Sequence, residues 1–218
     1  MAIKNWNDGD YVFAVDMDDI TKQINHIFTD MAAANAALVG DLAPKPGMRL
    51  FTSNDGTLWT RIGSPAAMWV PAPGTVLTDV YGTADLALPV SSTSYPITNM
   101  SQVYTNRATA WSAATGKFTA PYPGNYQFNQ AVVFAQNATG VRQLFYRVNG
   151  SATVVGSIRT LQALNGFLTP IQNVHNVLLS ANDTIEPMAT QTSTASLNIV
   201  ATGVPHYQPR FTAIYLGM

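Results

Sequence analysis

TGKFTAPYPGNYQFNQAVVF, spanning Thr115 to Phe134, is the most directly readable part of this 218-residue chain. Gly116 marks a turn into Phe118, and Pro121, Pro123 and Gly124 mark a second one. Beyond it Tyr126, Phe128, Ala131 and Val133 lie along a strand. Glycine and proline set corners because they permit or fix particular φ values, while aromatic and β-branched side chains fill a pleated, half-buried surface. The stretch therefore predicts two short strands joined by a tight connection, as in an antiparallel sandwich.

The same pattern extends in both directions. Strands are predicted at Thr75–Tyr81, Tyr95–Ile97, Arg107–Trp111, Lys117–Thr119, Gly124–Phe134, Gln143–Asn149, Thr153–Thr160, Gly166–Leu179, Asp183–Thr190, Ser196–Val200 and Phe211–Leu216. Turn residues recur at Asn137–Gly140, Asn149-Gly150, Asn165-Gly166, Ser180–Asp183 and Val204–Pro209. So many short strands within residues 75–218 indicate a mainly β fold, a two-sheet sandwich of jelly-roll type.

Two further segments precede it, 1–43 and 44–74. In the first, an extended lead with a turn at Asn7-Asp8-Gly9-Asp10 runs into a helix expected over residues 16–39. Asp16 is a good N-cap, and Gly40, Pro44 and Pro46 stop the helix. Met17, Ile20, Ile24, Ile27, Met31, Ala34 and Leu38 recur at alternating spacings of three and four, a heptad register. Isoleucine at both a and d shifts a coiled coil toward three or four strands, so these residues are the candidate trimer stem. The alternative is an amphipathic helix packed on its own sheet, and Phe28 beside the seam widens the apolar face in that direction. In the second segment, Arg49–Ser53 and Thr57–Ile62 flank Asn54-Asp55-Gly56, a hairpin signal. Trp59 and Trp69 fit the core of so small a unit better than a sugar-stacking surface.

Composition narrows the functional classes. Lysine and arginine number 11 against 12 acidic residues, so nothing suggests electrostatic capture of nucleic acid or anionic lipid. Charged residues make up only 11% of the chain, against roughly 25% in an average domain. A chain so poor in charge is expected to cover part of its surface with copies of itself or a neighbour. Cysteine is absent, which excludes disulfides and thiolate metal sites. The N-terminus has no apolar signal-peptide core, and no run approaches the ~20 apolar residues of a membrane span. The expectation is a protein made in a cytoplasm that leaves within an assembled particle.

ATAWSAATGKFTAPYPGNYQFNQAVVF resembles the signature of the globular heads of complement component one-q, which belong with the tumour necrosis factor-like jelly rolls. Trp111, Thr115, Gly116, Phe118, Thr119, Pro121, Gly124, Tyr126 and Phe128 carry the likeness. LFYRVNG (Leu144–Gly150), VLLSANDTIEPMA (Val177–Ala189) and RFTAIYLGM at the C-terminus resemble later strands of that family. Asn182 stands where the family usually has glycine, and asparagine tolerates φ > 0 best after glycine. Ala213 stands near a small terminal glycine of the family pattern. The resemblance implies a homotrimer whose exposed loops or inter-subunit grooves meet ligands. It makes Trp111, Phe118, Tyr126, Phe128 and Tyr146 candidates for core or subunit interface. Without a Gly-x-y stalk the chain is not an animal complement chain.

The lead and helix, followed by PGMRLFTSNDGTLWTRIGSPAAMWVPA, resemble small virion proteins of tailed bacteriophages through Trp6, Asp8, Gly9, Asp10, Asp16, Met17 and Ile20. That resemblance implies an N-terminal anchor to other virion proteins, a trimeric stem and a jelly-roll tip. The chemistry-bearing residues point away from catalysis. His26, His175 and His206 form no metal-binding motif, and no nucleophile elbow, phosphate loop or dinucleotide fingerprint occurs. The β-domain carboxylates Asp79, Asp85, Asp183 and Glu186 make no persuasive glycosidase pair and no calcium cluster. No catalytic residue, metal or cofactor is expected. The reading is a bacteriophage virion fibre, at the tail, that attaches to a host-surface glycan or protein through loops including Asn137, Thr139, His206 and Tyr207. A head fibre or capsid decoration of purely structural role is the alternative, and a depolymerising enzyme the third.

Overall fold

The computed structural model of the chain describes residues 25–29, 31–38, 45–53, 57–63, 68–151, 154–201 and 207–218. They form two units that part at Thr75 and Val76.

The N-terminal unit is built on strands β1 (Asn25–Phe28), β2 (Arg49–Thr52), β3 (Thr57–Ile62) and β4 (Met68–Pro71), paired in that order. β1 runs parallel to β2, and the other two pairs are antiparallel. Helix α1 occupies Met31–Ala37. This corrects the helix expected over residues 16–39 and the coiled-coil seam drawn through it. Asn25, His26, Ile27, Phe28 and Thr29 are poor helix formers, and a branched and aromatic pair gains more by pairing with β2. Exposed Ile27 next to buried Phe28 shows the period of a strand. His26, placed on the helix by the sequence, pairs with Leu50 in β1. The alanine-rich run after Thr29 keeps its helix, but seven residues make only two turns, about 10 Å. Ala34 and Leu38 are buried with Phe28, Leu50 and Trp69, and Met31 packs against them, so the helix sits on the chain's own sheet. Met17, Ile20 and Ile24 lie outside the described residues, as do the lead and its Trp6-to-Asp10 motif.

The hairpin forms where expected, with Thr52 paired to Thr57, and its Asn54-Asp55-Gly56 turn lies outside the described residues. Both tryptophans serve the core. Trp69 is buried, and Trp59 packs at its edge while its Nε1 donates to Thr52 Oγ1 at 3.0 Å.

The C-terminal unit is an antiparallel sandwich. Its strands are β5 (Thr75–Tyr81), β6 (Leu86–Leu88), β7 (Ser91–Pro96), β8 (Gln102–Asn106), β9 (Trp111–Ser112), β10 (Lys117–Thr119), β11 (Gly124–Phe134), β12 (Val141–Val148), β13 (Val154–Gln162), β14 (Thr169–Leu179), β15 (Thr184–Gln191), β16 (Leu197–Ile199) and β17 (Arg210–Gly217). One sheet runs β8-β5-β17-β11, with β14 also on β11, and β16 and β6 beyond the end of β11. The other runs β9-β10-β15-β12-β13, with β7 also on β15. Strands far apart in sequence are neighbours, as in a jelly roll.

Several expected boundaries move, two of them for a backbone reason. Arg107–Thr109 is a turn of 3-10 helix and not part of a strand, because Ala108 and Thr109 both take φ of 51°. Asn106 brackets that turn: its Oδ1 accepts from Trp111 N at 2.7 Å and its Nδ2 donates to Trp111 O at 3.0 Å. Gly166 to Leu168 stay out of β14, since Gly166 has φ of 79°. Asn182 takes φ of 72°, the conformation for which the sequence substitutes asparagine for glycine.

Between the sheets lies an aromatic cluster. Phe118, Tyr126, Phe128, Tyr146, Phe211 and Tyr215 are fully buried and Trp111 nearly so. Phe128 meets Phe118 at 5.3 Å, Phe211 at 5.8 Å and Tyr146 at 5.9 Å between ring centroids. Polar fasteners cross the layers as well: Gln130 Nε2 donates to Phe145 O at 3.0 Å, and Tyr146 Oη to Asn173 O at 2.9 Å. Each fixes how one sheet seats on the other, because a mispaired buried polar group would cost more than the bond gains.

Burial pushes the phenols of Tyr126, Tyr146 and Tyr215 above the ordinary tyrosine value. An unfolded tyrosine ionises near ~10. Above that pH the unfolded chain sheds protons that the native chain retains, so stability is complete below it and falls as pH rises. Tyr126 and Tyr146 should each contribute about 1.4 kcal/mol of loss per pH unit. Urea midpoints should hold steady to about pH 9.5 and drop steeply above about pH 10; a midpoint unchanged through pH 11 would contradict the burial of these hydroxyls.

Candidate functional site

Alternation along β14 produces the candidate site. Ile171, Asn173, Val177 and Leu179 turn into the sandwich, and Pro170, Gln172, Val174, Asn176 and Leu178 turn out. Leu178 is 72% exposed and Val174 47%, an unusual placement for branched aliphatic side chains in mid-strand. On β11, Tyr126 and Phe128 face the core, so Asn125, Gln127 and Asn129 share the outer face with the outward residues of β14. Amides clasp across the two strands: Gln127 Nε2 donates to Asn176 Oδ1 at 3.3 Å, and Gln172 Nε2 to Asn129 Oδ1 at 2.9 Å. Neither β11 nor β14 contains an Asp, Glu, Lys or Arg.

Farther along the same sheet, Arg210 donates through Nε to Asp79 Oδ1 at 2.7 Å and through a terminal nitrogen to Oδ2 at 2.5 Å. The hydrogen bonds it donates to Asp79 hold the Arg210 guanidinium above its ordinary pKa. Its carbon lies 5.5 Å from the Tyr104 ring centre, and Tyr104 stacks on Tyr81 at 4.5 Å. The face is thus a neutral amide and aliphatic field bordered by one internally neutralised ion pair and an exposed aromatic. The other sheet carries Lys117, Arg147, Arg159 and Glu186, with Lys117 and Glu186 paired.

A second feature gathers the loops at one end of the sandwich. β11 and β15 end there, and β12, β14 and β17 begin there. Val76, where this unit starts, lies at the other end, because Gly82 at the far end of β5 donates to Pro209 O just before β17. Arg142 organises this loop end. It is fully buried and donates to the carbonyls of Thr139 at 3.1 Å, Val141 at 3.2 Å and Asn137 at 3.4 Å. Burial pushes its pKa down. Gly140 must be glycine here: at φ of 77° an added Cβ would sit 2.5 Å from the Thr192 carbonyl.

These geometries place the residues expected from sequence. Trp111, Phe118, Tyr126, Phe128 and Tyr146 all lie in the core of one chain and not on an outer face. Asn137 and Thr139 use their side chains on each other, Asn137 Oδ1 accepting from Thr139 N at 2.9 Å and Oγ1 at 3.0 Å. Tyr207 lines a hollow at the loop end, while His206 lies outside the described residues. His175 falls on the core-facing parity of β14, opposite Phe128, so it does not project from the outer face. Each carboxylate of the unit serves the fold: Asp79 holds Arg210, Asp85 accepts from Ala201 N, Asp183 accepts from Ser180 N and Asn149 Nδ2, and Glu186 pairs with Lys117. Sequence reasoning missed Arg142 because the strand expected from Gln143 begins two residues after the observed start at Val141. Its inward parity with Leu144 and Tyr146 was the available signal.

Residues 84–196, just over half of the chain, match the C1q domain. The chain belongs to the C1q domain family. An uncharacterized protein of Acanthamoeba polyphaga mimivirus is 27% identical over 142 residues, which is 60% of each chain. Among solved structures, the globular domain of zebrafish complement 1qA protein is similar at 13% identity, with a TM-score of 0.44, over 64% of this chain and 97% of that one. The Eiger TNF from S. frugiperda is similar at 10% identity, with a TM-score of 0.46, over 65% and 93%. C1q/TNF-like domains commonly form homotrimers.

Proposed function

We infer that this C1q-domain chain is a non-enzymatic homotrimeric virion fibre, built in the host cytoplasm, whose sandwich attaches a phage tail to a host surface. The observation that carries the reading is the outer face of β11 and β14. Burying an unpaired charge costs several kcal/mol, whereas amides already clasped to each other and bare aliphatic side chains lose little when water leaves. A face free of charge over both strands, studded with Val174 and Leu178, is suited to the contact between copies. Family habit supports the trimer. The mimivirus relative supports a viral setting, although this chain spans only 60% of that protein. The resemblance of residues 6–39 and 46–72 to tailed-phage virion proteins supports the fibre and its attachment to other virion proteins. Binding in place of catalysis is supported by the carboxylates, each tied into the fold.

The test is the mass of the purified chain by analytical ultracentrifugation at micromolar concentration. Three copies are expected. A well-behaved single copy would remove the basis for the whole reading. Labelling of this chain on intact particles then separates tail from head, and a signal confined to the capsid would replace attachment with a structural role.

A further inference from the structure

At the loop end, the chain between β13 and β14 holds Phe167 with 70% of its surface in water. The loop is built, not loose: Phe167 N donates to Leu164 O at 3.2 Å, and Ala163 N to Gly140 O at 3.0 Å. Gly140 is in turn tied to the loop that Arg142 clamps. A ring presented on a fixed turn, against the hydrophobic cost of its exposure, is preorganised for a partner. Beside it lies a hollow of about 420 Å³, within the size range of small-ligand sites, walled by Phe167, Tyr207, Val133 and Gln136. It shares Val133 and Pro170 with a second hollow of about 240 Å³ to which Gln208 contributes.

We propose that this tip groove is a binding site for a neutral saccharide. Among the described residues the lining contains no Asp, Glu, His, Lys or Arg, which disfavours phosphate, sulfate and sialic acid. Its polar side chains are carboxamides and the Tyr207 hydroxyl, which offer donors and acceptors together and so match hydroxyls that do both. The amides of Gln136 and Gln208 hydrogen-bond to no described residue. Phe167 supplies an aromatic plate for the C–H face of a pyranose. The site stands at the end of the sandwich opposite the start of β5. The inference deepens the attachment reading, to which it adds a ligand class and a place.

The test uses the full chain on an array of immobilised neutral, sialylated and sulfated oligosaccharides. Binding to neutral glycans is expected, falling about tenfold per site in Phe167→Ala and retained in Phe167→Tyr, with the mass in solution unchanged. Gln136→Ala with Gln208→Ala should weaken the same glycans. Preference for charged glycans, binding by Phe167→Ala equal to the parent, or no binding to any neutral glycan would overturn the proposal. So would a change of mass in Phe167→Ala, which would assign the groove to a second copy of the chain. A parent chain that is a trimer on phage tails leaves the attachment reading standing even where the glycan outcome overturns this proposal.

Discussion

Phe128→Ala is expected to cost about 3–5 kcal/mol, a large share of the ~5–15 kcal/mol that holds a domain together. The ring lies fully buried between the sheets and touches partners on three other strands: Phe118 on β10, Tyr146 on β12 and Phe211 on β17. Truncation removes the transfer energy of the ring and leaves a hole. The neighbouring rings cannot close it without breaking their own hydrogen bonds, such as that of Tyr146 to Asn173 O. Urea unfolding followed by near-ultraviolet circular dichroism should show the midpoint shift. A loss below about 1 kcal/mol would mean that the cluster is far more plastic than its geometry indicates.

Val174→Glu combined with Leu178→Glu is expected to turn the assembly into single chains at micromolar concentration while far-ultraviolet circular dichroism stays unchanged. Both side chains already stand in water, so the substitutions strain nothing within one chain. Across a threefold contact they would bring six carboxylates together without a cation, and like charges juxtaposed at an interface cost several kcal/mol. Ile158→Glu, on the other sheet and 47% exposed, is the control that should leave the mass alone. A double variant that still sediments as a trimer would move the contact off β11 and β14.

Much of the sandwich was legible because its signals were redundant. Gly116, Pro121, Pro123 and Gly124 cut the chain where β10 and β11 begin and end, and β11 runs from Gly124 to Phe134 as read. The helix failed where the signal was single. A three-and-four spacing of apolar residues describes a seam only if every residue between is content in a helix, and Asn25 to Thr29 are not. β8 escaped notice because exposed Val103 and Tyr104 break alternation, and the left-handed pair Ala108 and Thr109 has no compositional mark. The outer face of β14 was visible as alternation, yet which parity faces outward depends on the second sheet. Arg142 shows the same limit: a lone arginine looks like surface until the loop carbonyls around it are in place.

The eleven-rung pairing of β11 with β14, from Gly124 opposite Leu179 to Phe134 opposite Thr169, has a mechanical consequence. A tug on the Phe167 turn toward the loop end pulls β14 along its own axis. The rungs lie perpendicular to that axis. They are therefore loaded in shear and must yield together, where a peeling force would open them singly. On the attachment reading proposed above, the sandwich is stiff in the direction in which a tethered particle, buffeted by flow, would strain against its foothold.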